Sequence, residues 1–216
     1  MASYEPWAKE EVTCKMHKFE TTIPISQAAL MDGTLTEDKV KTELEHDLMN
    51  NVYYSIVFGK SSINMKGIST LSGRSKLSGT QASSLTTGTM LRQKVIEAKY
   101  KSEEQQEGIK TFYGFYRLLL PYQFSHLLLE LYNEPQYVTI KDSLQRDLLT
   151  ITKVFKGLDH PILYKFDHKV MFVPILSDVS FRKFSAPEGD YIRASILAGI
   201  VHFRPKEVVE ITISAN

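Results

Sequence analysis

The chain has 216 residues, of which 43% are hydrophobic and 24% charged, and its formal net charge is +1. That length and mixture predict one folded domain and exclude a disordered or fibrous protein. The single cysteine, Cys14, excludes an intramolecular disulfide and a cysteine-based zinc site, and predicts a reducing setting, cytoplasmic or nuclear.

In chain order, residues 1–12 read as a mobile N-terminal arm, with Glu5, Glu10 and Glu11 where a secretory signal would have an apolar run. Trp7 either folds back onto the domain or serves as an exposed docking residue. An extended segment over 13–25 leads to a helix over 36–49, where Val40, Leu44 and Leu48 recur every four residues and Glu37, Lys41 and Glu45 alternate in sign on another face. Thr34 and Glu37 have capping-box spacing, and Asn50 and Asn51 form the expected stop. The β-branched and aromatic run 52–58 then reads as a strand, with Val52, Tyr54, Ile56 and Phe58 on one face.

Residues 59–90 turn to Ser, Thr and Gly, the composition of a flexible loop. Patterning returns at 94–100 and in the aromatic run Phe112, Tyr113, Phe115 and Tyr116, which reads as a buried strand leading into Leu118, Leu119 and Leu120. Segments 127–132 and 137–140 are the expected arms of a hairpin whose turn contains Asn133 and Pro135. A second helix is expected from Asp142 or Ser143, with Leu144, Leu148, Ile151, Phe155 and Leu158 on one stripe and Gly157 and Pro161 at its end. Strands follow near 162–166, 170–176, 179–184, 191–203 and 208–213. The sum is an α+β fold over 13–216, a mainly antiparallel sheet packed with two principal amphipathic helices. No stretch approaches the roughly 20 apolar residues of a membrane span, so any membrane contact is expected to be peripheral.

Motifs that carry chemistry are scarce. Phe58-Gly59-Lys60-Ser61-Ser62 ends like a phosphate-binding loop, but Tyr54 stands where that motif needs its first glycine, so nucleotide binding is not expected. No G-x-S-x-G, H-E-x-x-H or G-x-G-x-x-G occurs. Two pairs, Asp159-His160 and Asp167-His168, carry groups that hold divalent metals or exchange protons near neutral pH; brought together across a hairpin, they would suit a small metal-dependent hydrolase. The plainer reading is turn residues at strand ends. His126 and His202 sit in apolar segments and Cys14 has no sequence partner, so no catalytic residue, metal or cofactor is expected.

Charge placement says more than net charge. From Leu48 to Ile96 there is no Asp or Glu, while Lys60, Lys66, Arg74, Lys76, Arg92 and Lys94 make that stretch basic. Such a segment can follow phosphates, which points to nucleic acid or anionic lipid headgroups; the plainer reading is a solvated loop neutralised by acids from elsewhere in the fold. Tyr53, Tyr54, Phe112, Tyr113, Phe115 and Tyr116 are available for base stacking, although their strand patterning favours core packing. Ser72, Ser75 and Ser78 lie among the cations, where phosphorylation would cancel the positive field.

Residues 52–67, VYYSIVFGKSSINMKG, place Gly, paired Ser, Asn and Lys after a hydrophobic run, and in this they resemble rhabdovirus matrix proteins. The order of arm, strand, helix and strand is similar too. With the cationic segment as contact surface, the resemblance implies a non-enzymatic viral structural or adaptor protein of the virion or host cytoplasm. Such a protein self-associates and contacts nucleoprotein, RNA or an anionic membrane. Residues 190–203, DYIRASILAGIVHF, are similar to plant-virus movement proteins, which implies RNA binding as the alternative.

Overall fold

The computed structural model describes residues 14–26, 31, 33, 36–81, 85–106, 114–167, 170–176 and 178–214. The expected arm, Trp7, Thr34, Phe112, Tyr113 and His168 lie outside the described residues. The elements are β1 (His17–Ile25), α1 (Glu37–Phe58), β2 (Ser75–Gln81), α2 (Gly88–Glu104), β3 (Tyr116–Pro121), β4 (Leu131–Asn133), β5 (Val138–Thr139), α3 (Ile140–Asp147), β6 (Thr150–Phe155), β7 (Ile162–Lys165), β8 (Met171–Phe172), β9 (Ser180–Ala186), β10 (Gly189–Ala198), β11 (Val201–His202) and β12 (Val209–Ser214). The fold is α+β with sheets rich in antiparallel pairs, as expected. It comprises two compact units.

The first unit takes the described residues of Met1–Val52 together with Val173–Val201. Its sheet has the order β1-β10-β9 and is wholly antiparallel, with His17 opposite Ala198 and Ile25 opposite Asp190. Side chains alternate as a sheet with one wet face requires: Phe19, Ile192, Ala194 and Ile196 are buried, whereas Lys18, Glu20 and Thr22 are exposed. On the edge strand β9, Lys183 pairs with Glu37 in the first turn of α1. A charge at that position discourages stray edge-to-edge pairing.

Helix α1 corrects two expectations, since it continues through Asn50 and Asn51 to Phe58 and no strand forms at 52–58. Val40, Leu44, Leu48, Val52 and Ile56 keep one four-residue spacing and are all buried, so the run extends the helical stripe, while both asparagines sit on the exposed side. Burial along that stripe outweighs the β propensity of Val, Ile and Tyr. The stop is Gly59, at φ +78°, whose N–H donates to Ser55 O at 2.8 Å. A Cβ there would lie 2.7 Å from Met65 O, and one on Gly67 would lie 2.1 Å from Gly59 N, so both positions exclude a side chain.

The second unit, made of the described residues of Tyr53–Phe172 and His202–Asn216, holds a five-stranded sheet of order β2-β12-β7-β3-β6. Here β7 runs antiparallel to β12 and β3, but β2–β12 and β3–β6 are parallel pairs. The parallel pairing of β3 with β6 follows from the crossover between them, which carries β4, β5 and α3. Leu91, Val95 and Ala98 of α2, Tyr116, Leu118 and Leu120 of β3, and Ile140 and Leu144 of α3 share one core with Leu163, Val209 and Ile211.

Three further expectations change in this unit. The second helix ends at Asp147, and residues 150–155 form β6: Leu149 takes a left-handed φ of 49°, and Thr150, Ile151, Thr152 and Val154 are better accommodated in a strand. The stripe at 144–158 has the helical period, and pairing with β3 overrides it at 150–155. The second long helix is instead α2, whose Thr87 cap accepts a hydrogen bond from Met90 N–H. Residues 59–90 include strand β2, two short 3-10 turns and the start of α2. The hairpin forms as expected between β4 and β5, whereas Leu127, Leu128 and Leu129 belong to a preceding 3-10 helix. Tyr116 begins a buried strand, but Phe115 is exposed.

Candidate functional site

The six cations of the basic segment separate into two groups. Arg74 is committed to the interior: its Nε donates to Glu210 Oε2 at 2.6 Å, and its Nη1 donates to Ser69 O at 2.6 Å and Leu71 O at 3.0 Å. Arg92 donates to Ser143 Oγ at 2.7 Å and to Asp147 at 3.4 Å, with its guanidinium 4.5 Å from the centre of the Tyr132 ring. Lys94 pairs with Glu97, one turn along α2, at 2.7 Å. Lys60, Lys66 and Lys76 are exposed, and Lys76 lies 4.0 Å from Glu210. Arg74, Arg92 and Lys94 are thus neutralised by acids distant in sequence or one turn away. Ser75 Oγ donates to Lys206 O at 2.7 Å, while Ser72 and Ser78 are exposed.

Asp159 and His160 are kept apart from Asp167. Residues 162–165 form the single strand β7, so Asp159 and His160 precede it and Asp167 follows it. Four extended residues alone put about 13 Å between those ends. His160 Nδ1 accepts a hydrogen bond from Ile213 N–H at 3.2 Å, and Asp167 O receives Val170 N–H at 2.9 Å to close a turn. Among the described residues no group of three or more His, Cys, Asp or Glu could hold a metal ion. Of the aromatic residues, Tyr53 stacks on Phe155 at 5.6 Å and Tyr116 is fully buried, while Tyr54 and Phe115 are exposed.

Burial identifies polar groups that the sequence pattern did not. Glu103, Glu207 and Glu210 are each 2–3% exposed. Glu210 holds Arg74, and Glu207 accepts from Arg204 at 3.2 Å. Glu103 accepts a hydrogen bond from the Tyr116 hydroxyl at 3.3 Å; burial pushes its carboxyl above the usual range against the opposing charges of Lys99 and Lys165. Burial also lowers His202 to about 4, and among the described residues neither of its ring nitrogens has a hydrogen-bond partner. The only trace of Glu103 in the sequence is its place beside the helical stripe of Leu91, Val95, Ala98 and Ser102. Periodicity marks that stripe but cannot show that a carboxylate lies within it.

The arrangement therefore offers no catalytic geometry among the described residues, but it leaves large apolar side chains in the open. On the β4–β5 hairpin and its approach, Leu129 is 74% exposed and Tyr137 is 82% exposed at a left-handed φ of 52°. Ile151 and Val154 are exposed on the edge strand β6. Surfaces of this kind mark contacts with other macromolecules more often than reaction sites.

Solved structures share this fold at low sequence identity. A virus-like particle from Pyrococcus furiosus matches with 16% identity and a TM-score of 0.70, over 91% of this chain and 77% of that one. The fold is that of capsid proteins, of the HK97 type. The capsid of Myoviridae phage XM1 matches with 13% identity and a TM-score of 0.66, over 93% of this chain and 74% of that one. The capsid of an empty GTA particle does so with 10% identity and a TM-score of 0.65, over 100% of this chain and 81% of that one. No family model matches the chain, and no curated protein matches it in sequence. The resemblance of residues 52–67 to rhabdovirus matrix proteins gains no support, since its hydrophobic strand is the last part of α1.

Proposed function

We propose that this chain is a structural subunit of a virus-type capsid shell, acting by self-association rather than by catalysis. The observation that carries this reading is the agreement of fold with capsid proteins over nine-tenths or more of the chain. The exposed apolar side chains of the β4–β5 hairpin and of β6 support it, because a subunit that is to be covered by its neighbours keeps such groups on its surface. Within this reading, Lys60, Lys66 and Lys76 are the residues through which a polyanion would meet the chain, since they are the exposed cations of the basic segment and Arg74, Arg92 and Lys94 are half-buried.

Sedimentation velocity and negative-stain electron microscopy of the purified full chain test the proposal. Closed particles or capsomer-sized rings are expected as concentration rises. A chain that stays monomeric across concentration and salt would overturn it.

A further inference from the structure

The geometry points to a specific contact between copies of this chain, in which the exposed acidic stretch 43–47 of α1 on one copy docks on the basic, apolar edge of β6 on the next. The inference rests on the shell reading above and adds the residues that would join the subunits.

Strand β6 ends its sheet, hydrogen-bonded to β3 on one side only. Among the described residues no strand covers its other side, where backbone N–H and C=O groups remain available. Ile151 is 43% exposed and Val154 38%, while Lys153 and Lys156 flank them in the open. From Leu148 to Leu158 these two lysines meet no acid in the sequence. Lys156 lies over the ring of Tyr122, itself 60% exposed, which extends the apolar patch. A basic edge with aliphatic contacts calls for an acidic partner that carries its own apolar side chain.

The chain supplies one. Between Thr42 and Gly59 there are three acids, Glu43, Glu45 and Asp47, and no Lys or Arg. All three are exposed on α1: Glu43 and Asp47 lie on one flank of the buried Leu44 and Leu48, and Glu45 lies on the other flank with Met49, which is 39% exposed. Among the described residues Glu43 and Glu45 make no ion pair, and Asp47 has only His46, at 3.9 Å. Complementary sign on two different patches of one chain allows a head-to-tail contact, which closes into a ring when the rotation fits. A two-fold pairing of either patch with itself would oppose like charges, and the charges disfavour it.

Charge reversal tests the pairing. One variant carries Lys153→Glu and Lys156→Glu, a second carries Glu43→Lys, Glu45→Lys and Asp47→Lys, and a third combines all five. Each is compared with wild type by sedimentation velocity and microscopy, with circular dichroism melts confirming that it folds. The expected result is an assembled fraction at least about tenfold lower in each singly reversed chain, and recovery toward wild type in the combined chain. Wild-type particles alongside equally good particles from the reversed chains, or a combined chain that fails to recover, would overturn this contact and leave the shell reading standing. A wild-type chain that never assembles would overturn both.

Discussion

The two sheets of this protein are built on different terms. In β1, β10 and β9, one face is wet: Phe19, Ile192 and Ile196 are buried, while Lys18, Glu20 and Thr22 meet solvent. In the five-stranded sheet, the central β3 and β7 are covered on both faces, and Leu118, Leu119, Leu120, Ile162 and Leu163 are all nearly inaccessible. A half-wet sheet writes its alternation into the sequence. A sheet buried on both sides reads as an apolar run, and its partners are chosen by what packs on each face.

Substitutions sharpen that contrast. The largest effect is expected at the tie between β12 and the turn before β2, where Arg74→Met leaves Glu210 buried without its partner. A loss of about 3–5 kcal/mol in a urea melt is expected, because the carboxylate keeps its desolvation penalty. Leu118→Ala comes next, at about 2–5 kcal/mol, whereas Thr22→Ala on the wet face of β1 is expected to stay within about 0.5 kcal/mol. Equal costs at Leu118 and Thr22 would erase the distinction between the sheets.

Smaller effects concern titration. Because burial raises the Glu103 carboxyl, folding gains from its protonated form below the ordinary Glu range, and that gain is lost as pH rises through the raised value. Glu103→Gln is therefore expected to raise the melting temperature at pH 8 and to leave it little changed at pH 4. In the first unit the sign reverses. Hydrogen bonds from Lys183 and Lys41 lower Glu37 from its ordinary value to about 2, so its contribution is present above the ordinary Glu range and disappears as pH falls toward 2. Glu37→Gln is expected to flatten that acid limb only slightly, since the site is open to solvent.

The candidate surfaces were only partly legible. All six cations of the 48–96 stretch could be counted, but their use could not: Arg74 meets Glu210 and Arg92 meets Asp147 only after folding brings distant segments together. Asp159, His160 and Asp167 were visible, and the plainer reading of them as residues at strand ends fits the single strand β7 that separates Asp159 and His160 from Asp167. The exposed Ile151 and Val154 fall within a stretch that the sequence reads as helix, which hid the edge they form.

By itself the sequence determined the α+β class, the strand β1 and the start of α1. It also determined the β4–β5 hairpin and the strands of the C-terminal third, because local alternation, capping and turn residues act over a few positions. Tertiary structure decided that 52–58 stays helical, that 150–155 becomes a strand beside β3, and which charges face inward. In those places local preferences are balanced within about a kcal/mol per residue, and burial against distant segments outweighs them.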